Sequence, residues 1–280
     1  RDAGGFITAD ISLRAPHLFD GYRIVDMAFG KAPWPLVWFI SSDGRLIGNT
    51  YVPEQEIGAW HRHDTDGSFE SCAVVAEGDE DMLYVVVRRH INGRDVRYIE
   101  RLESRSFATP ADAFFVDSGL SYDGTPITTV RGLDHLEGKT VSILADGAVH
   151  PQRVVIGGTI TLDNPAAKIH VGLPITADLH TLPVVGQIDN AYGRGRKKNV
   201  NQIWLDVLAS SGIWAGPHED ALVESKQRTT EPPGSPPHLK TGEVQLTLKP
   251  DWNEYGQILV RQRDPLPLTI VSLTVGVAIA

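Results

Sequence analysis

Residues 45–103 place the tightest constraint on the fold, because short β-branched or aromatic runs alternate there with two-residue turn signals. Residues 84–88 favour a pleated, half-buried strand. Asn92-Gly93 follows, and it signals a hairpin strongly because both central residues of its turn need φ > 0. Residues 94–102 supply the returning strand. The pattern predicts strand, turn, strand, with no competing helical period.

The same alternation extends on both sides of that hairpin. Asp43-Gly44 predicts a turn between two strands, and Asp66-Gly67 predicts another of the same kind. Two sets of strands result, at 22–29, 36–41, 45–52 and 57–63, and at 69–76, 82–90 and 94–103 with 113–117 as a candidate fourth member. Their spacing is typical of four-stranded β-propeller blades. Two blades cannot close a ring, and the chain begins at Arg1 rather than Met, so we expect further blades upstream.

The remaining sequence predicts two further all-β regions and one short helix. Thr8 or Asp10 is a candidate helix cap, and Pro16 is expected to end that helix. The predicted domains are 1–117 (incomplete propeller-like blades), 118–182 (a small β-barrel-like domain) and 183–280 (a β-sandwich-like region). The barrel rests on four or five short strands, among them 140–145, 152–156, 159–162 and 168–173, with tight turns between them such as Asp163-Asn164-Pro165. The final strand, 268–277, is predicted to be buried or covered by a partner.

Composition excludes several classes of function. The net charge is -9, so a general nucleic-acid-binding surface is not expected. Cys72 is the only cysteine, which excludes internal disulfides and cysteine-based zinc sites. No apolar run is long enough to predict a membrane-spanning helix. We find no phosphate loop or dinucleotide fingerprint, and we therefore expect no cofactor.

His61 and His63 are the candidate metal ligands. They point to the same face of a predicted strand, so both could reach one ion, with Asp64 or Asp66 as a third ligand. The alternative is that the histidines pack at a strand end while the aspartates cap a turn. We favour the second interpretation and predict no metal.

A basic run and several acidic pairs are the other candidates. Arg194, Arg196, Lys197 and Lys198 could contact DNA or an acidic partner, although such a run is more often a solvated loop. The acidic groups, such as Asp79-Glu80-Asp81 and Glu219-Asp220, lie in predicted turns, and glycosidase chemistry would need a cleft that brings two carboxylates together. Ser118 and Ser121 lack the nucleophile-elbow pattern. We predict no catalytic residues.

Several longer stretches resemble one family. These stretches are WHRHDTDG at 60–67, YVPEQE at 51–56, GLSYDG at 119–124, GLDHLEGKTVSILADG at 132–147, HVGLP at 170–174 and RDPLPLTI near the C-terminus. They are similar to phage and prophage proteins, namely the tail-nozzle (tail tubular) proteins of short-tailed bacteriophages. The resemblance runs from about residue 8 to the end. It implies a ring-forming, non-enzymatic tail component with a propeller-like part, of which this chain would be the C-terminal portion.

Two functions follow as expectations. The first is a subunit of a homo-oligomeric ring around the DNA path, in contact with other phage tail proteins and located in the virion, or in the bacterial cytoplasm when expressed from a prophage. Its negative charge would let DNA pass without phosphate capture. The alternative is a module that binds or cleaves a host-surface polysaccharide, which requires exposed aromatic residues beside paired carboxylates.

Overall fold

The computed structural model describes residues 10–55, 57–185, 187–188, 191–192, 195–226, 231–232 and 234–280. Within them the chain is all-β, with several antiparallel sheets and only short 3₁₀ helices, which confirms the predicted fold class. None of the described helices is long and apolar enough to cross a bilayer. The chain divides into two compact units, Arg1–Ser104 and Arg105–Ala280. The predicted three-part domain division stays a prediction.

The first sheet of the first unit is an antiparallel meander of four strands joined in chain order. Its strands are β1 (Ile24–Gly30), β2 (Leu36–Ser41), β3 (Leu46–Val52) and β4 (Ile57–His63). A 3₁₀ turn at Pro53–Gln55 links β3 to β4. Gly44, at φ 85°, lies in the predicted turn between β2 and β3. All four strands match their predictions within two residues, because tight turns fix the register locally.

The second sheet contains β5 (Ser68–Glu77), β6 (Glu80–Ile91) and β7 (Arg94–Arg101), again in chain order. The predicted Asn92-Gly93 turn is confirmed, with φ of 49° and 75° at its two residues. The two sheets pack face to face around an apolar cluster. Its buried members are Trp38, Ile40, Leu46, Phe69, Leu83, Val85 and Val87. The blade-like strand sets thus form one shared core.

Two predictions in this unit are wrong. Asp66-Gly67 does not close a hairpin, because β4 ends the first sheet and β5 begins the second. A Cβ on Gly67 would lie 2.6 Å from the carbonyl oxygen of Arg88, so the chain needs glycine to cross closely under β6. Residues 113–117 do not form a fourth strand of the second set. They follow a 3₁₀ turn at Pro110–Asp112 and precede a strand of the second unit.

A short N-terminal segment covers part of the first sheet. Two 3₁₀ helices, Ile11–Arg14 and Pro16–Leu18, replace the single predicted helix. The Asp10 side chain accepts a hydrogen bond from the Ser12 N–H at 2.8 Å, as a helix cap does. Pro16 begins the second helix because its missing N–H is not needed there. Thr8, the other candidate cap, lies outside the described residues.

The first sheet of the second unit has the strand order β10-β9-β11-β8. Its strands are β8 (Asp117–Arg131), β9 (Thr140–Ala145), β10 (Ala148–Val154) and β11 (Thr159–Leu173). The predicted strands 159–162 and 168–173 are both parts of the single long strand β11. A 3₁₀ turn at Asp134–Leu136 follows β8.

The predicted barrel-like domain takes the form of an open sheet. Its outer strands, β8 and β10, are not hydrogen-bonded to each other, and residues 105–182 are all described. Register shifts near Ala166 bend β11 against β8, so the two long strands fold over a common core. That core includes the fully buried Ile143 and Ile169.

Two further sheets pack as a sandwich-like pair at the C-terminal end. One has the order β18-β15-β20, with β15 (Lys198–Ser210), β18 (Lys240–Thr247) and β20 (Thr269–Ile279). The other has the order β12-β19-β16-β17, with β12 (Ala177–His180), β16 (Trp214–Gly216), β17 (Val223–Glu224) and β19 (Leu259–Gln262). Residues of β15, β18, β16 and β19 share one apolar cluster, as a sandwich requires. A two-stranded ribbon, β13 (Gln187–Ile188) and β14 (Ala191–Tyr192), and a 3₁₀ turn at Glu219–Ala221 complete the described elements.

Candidate functional site

His61 and His63 do come together, on the face of β4 that packs toward the second sheet. His61 Nδ1 lies 2.7 Å from His63 Nε2, so one imidazole donates a hydrogen bond to the other. Both rings pack against the buried Trp38, with ring centroids 5.5 and 5.4 Å from the indole. The strand period of two residues places them on this face.

The surroundings of the histidines are closely packed. Among the described residues, no group of three or more His, Cys, Asp or Glu side chains could hold a metal ion. A Cβ built on Gly48 would lie 1.9 Å from Cε1 of His61. Glycine on β3 therefore makes the room into which the imidazole packs. The arrangement supports the interpretation of the pair as packed side chains at a strand end.

The residues of the basic run differ in their exposure to solvent. Arg194 lies outside the described residues, and Arg196 and Lys197 are exposed. Lys198 is only 2% exposed, and its Nζ donates hydrogen bonds to the carbonyl oxygens of Glu254 at 2.9 Å and Arg196 at 3.2 Å. The Lys198 ammonium is thus occupied in holding the start of β15. It does not contribute the DNA or partner contact that the sequence suggested for it.

Two of the acidic candidates, Asp81 and Glu219, make structural contacts. Asp81 accepts hydrogen bonds from the N–H groups of Lys31 and Ala32 at 2.7 and 3.0 Å. These backbone donors stabilise the carboxylate and lower the pKa of Asp81. Glu219 and Asp178 both pair with the guanidinium of Arg261. Each carboxylate is therefore committed to a structural contact.

Sequence reasoning missed a charged pair on the inner face of the second sheet. Arg89 is 3% exposed, and its Nε and Nη2 each lie 2.7 Å from an oxygen of Glu100 on β7. Its Nη1 also donates to the carbonyl oxygen of Asp66 at 2.9 Å. One side chain thus joins β6 to β7 and to the segment that crosses between the sheets. Side chains alternate between the two faces of β6, and this alternation places residue 89 on the inner face. It is the feature of the sequence that could have indicated a buried arginine.

A serine–histidine contact in the second unit was also missed. His170 Nδ1 lies 2.7 Å from Oγ of Ser121, and its Nε2 lies 2.9 Å from the carbonyl oxygen of Ala111. A carbonyl can only accept, so Nε2 carries the proton and Nδ1 accepts from the serine hydroxyl. Ser121 and His170 are cross-strand partners of β8 and β11. The hydrogen bond from His170 Nε2 to Ala111 fastens the Pro110–Asp112 turn to the sheet.

Three of the stretches that carry the family resemblance lie on neighbouring strands. GLSYDG lies on β8 and HVGL on β11, where Ser121 is opposite His170 and Leu120 is opposite Val171. The β9 part of the 132–147 stretch pairs with the other side of β11, with Ile143 opposite Val171. Three separate motifs therefore build one local structure, and they specify fold more directly than chemistry.

An exposed apolar stripe lies on β1. Val25, Met27 and Phe29 are 55%, 63% and 55% exposed and share one face by strand alternation. The opposite face turns toward β5, where the Cys72 N–H donates to Asp26 Oδ2 at 2.9 Å. The N-terminal 3₁₀ segment packs on Ile47, Phe39 and Trp60 of the same sheet face. A contiguous apolar patch of this kind is typical of a binding surface.

Comparison with known proteins does not identify a family for this chain. No model of a known protein family matches the chain, and no match is found among curated proteins. The geometry must therefore be interpreted on its own. In the described residues it offers packed strands, committed carboxylates and an exposed apolar stripe, which can support assembly with other proteins.

Proposed function

We propose that the chain is a non-enzymatic structural component of a bacteriophage or prophage tail, a nozzle- or tube-like ring subunit around the DNA path. The observation that carries the proposal is the apolar stripe of Val25, Met27 and Phe29. Such a stripe on a soluble domain favours contact with another protein. The blade-like meander sheets and the motifs that resemble tail-nozzle proteins support the same function.

The charge of the chain fits a conduit. With a net charge of -9, a ring of such subunits would repel the phosphate backbone and let DNA slide. Arg196 and Lys197 are exposed and remain the candidate points of contact with DNA or a neighbouring subunit. In this proposal the partners are other copies of the chain and other tail proteins, and the location is the virion.

The test measures mass in solution and incorporation into phage tails. We expect the wild-type chain to form a ring, or to join purified tail proteins, and Met27→Asp to abolish both. Ile99→Asp is the matched control, because Ile99 is 77% exposed on β7, away from the stripe. A chain that forms no ring at high concentration and does not bind tail proteins would contradict the proposal, as would equal loss in the two variants.

A polysaccharide-binding tail module is the second candidate, favoured by one observation. Trp252 and Tyr255 are 47% and 58% exposed within one short segment, and exposed rings of this kind stack on sugars. A screen against bacterial surface glycans tests it. Binding that is lost in Trp252→Ala would favour this function over a purely structural one, and no binding would exclude it.

A further inference from the structure

The two edges of the sheet β18-β15-β20 differ in a way that points to a partner. β18 carries Lys240 and Glu243, as natural edge strands do to prevent pairing with other chains. β20 has the sequence TIVSLTVGVAI, with no charged residue and no proline over its full length. Its only strand partner in the described part of the chain is β15. No other described strand pairs with the backbone donors and acceptors of its outer edge.

This edge is exposed as well as uncharged. Val271 is 64% exposed and Ile279 is 38% exposed. The residues that pack on the core, Leu273 among them, lie on the face toward the second sheet of the sandwich. A long, uncharged edge strand without proline is a template for β-sheet extension by another strand.

The other edge strands of this chain are unsuitable partners for it. Every described edge strand of four residues or more, apart from β20, contains a charged residue. Examples are Asp26 in β1, Arg62 in β4, Arg97 in β7, Arg153 in β10 and Asp178 in β12. Within the described residues, the one long uncharged edge available to β20 is β20 itself.

We propose that β20 pairs with β20 of a second copy of this chain, antiparallel and about a two-fold axis. The pairing would join two three-stranded sheets into one continuous sheet, and its interface would be isologous. Thr274 is the central residue of β20, so it would lie opposite or next to Thr274 of the partner subunit. The inference does not rest on the proposed tail function, since a two-fold contact closes on itself and ring closure would use another surface.

A matched pair of substitutions tests the pairing. Trp204 of β15 lies between Gln245 of β18 and Thr274 of β20 in one cross-strand row. Thr274→Lys and Gln245→Lys therefore place the same charge on the same face, beside the same tryptophan, at opposite edges. Like charges opposite each other destabilise a strand pair. Sedimentation over micromolar to hundreds of micromolar concentration gives the dimer dissociation constant of each variant.

We expect the wild-type chain to dimerise, Thr274→Lys to weaken the dimer about tenfold, and Gln245→Lys to leave it unchanged. An equimolar mixture of Thr274→Lys and Thr274→Glu should restore dimers, because only self-pairing brings the two positions together. Thermal melting checks that each variant folds, and Ser272→Lys replaces Thr274→Lys if that variant does not. A wild-type chain without a two-fold dimer, an equal effect of the two lysines, or a mixture without rescue would overturn the proposal.

The failure of the β20 pairing can be distinguished from the failure of the tail proposal. Met27→Asp should leave β20 dimers intact while it abolishes rings, and Thr274→Lys should do the reverse. Rings without β20 dimers would overturn only the pairing of β20.

Discussion

The two compact units differ in what their inner faces enclose. Between the sheets of the first unit, the apolar cluster is bordered by the Arg89–Glu100 pair and the two histidines. The core of the first sheet in the second unit is apolar, and its buried polar residues, Ser142 and His170, lie on the opposite face. Loss of the Glu100 carboxylate in the first unit therefore removes a charged partner from the buried Arg89, whereas truncation in the apolar core of the second leaves a cavity.

The largest effect is expected in the first unit. Glu100→Ala should lower the free energy of unfolding by roughly 3–5 kcal/mol, because it leaves the Arg89 guanidinium buried without its carboxylate. Denaturant unfolding measures the loss. Arg97→Ala is the control on the same sheet, since the Arg97–Glu70 pair lies at the surface, and it should cost much less. Similar losses in the two variants would show that the buried Arg89–Glu100 pair stabilises the protein no more than the exposed Arg97–Glu70 pair does.

The core of the first sheet in the second unit should respond through packing. Ile143 is fully buried in the core formed by β9 and its neighbours. Ile143→Ala should cost about 2–5 kcal/mol, the transfer term plus the cavity term. Ile156→Ala, at a side chain that is 72% exposed, is the control and should change stability by less than about 0.5 kcal/mol. A loss below that of Glu100→Ala would support the contrast, and a negligible loss would contradict the described core.

The same contrast explains how much of the fold the sequence predicts. In the first unit, turns such as Asn92-Gly93 fix each hairpin locally, and seven strands are predicted within two residues. In the second unit, β8 and β11 pair across the intervening β9 and β10, and Asp163-Asn164-Pro165, which predicts a turn that separates two strands, lies at a register shift inside the single strand β11. The length of these strands depends on pairing with segments distant in the chain, and the local pattern of a single sequence carries no information about that pairing.

In the candidate site, too, local contacts are predictable from the sequence and long-range contacts are not. The proximity of His61 and His63 is predictable because both lie on one strand, two residues apart. The burial of Lys198 is not, since its ammonium is held by the Glu254 carbonyl from a distant segment. The Ser121–His170 contact depends on the long-range pairing of β8 with β11 for the same reason.

A smaller effect tests how tightly the histidine pair is packed. Gly48→Ala places a Cβ on the His61 ring and should cost about 1–3 kcal/mol. The double variant Gly48→Ala with His61→Ala should cost less than the sum of the two single changes, because the clash is removed. Gly58→Ala on β4 is the control, since a Cβ there meets nothing within 4 Å. Additive costs would mean that the imidazole does not occupy the space above Gly48.

The smallest effect is expected at a surface ion pair of the second unit, and it depends on pH. Asp112 accepts hydrogen bonds from Lys168 Nζ and from Thr109, and these donors lower the pKa of its carboxyl to about 2 from the ordinary 3.8. Because the folded-state pKa is lower, the carboxylate contributes stability above about pH 4, and this contribution is lost as the pH falls through about 2.

Asp112→Asn should therefore destabilise the protein near neutral pH, and the difference from wild type should shrink as the pH falls from 4 toward 2. Unfolding at a series of pH values measures it. Asp123→Asn is the control, because Asp123 also lies near Lys168 Nζ, at 3.5 Å, but its side chain is 74% exposed, and its loss should cost less. A difference between Asp112→Asn and wild type that stays constant with pH would mean that the carboxylate charge does not stabilise this turn.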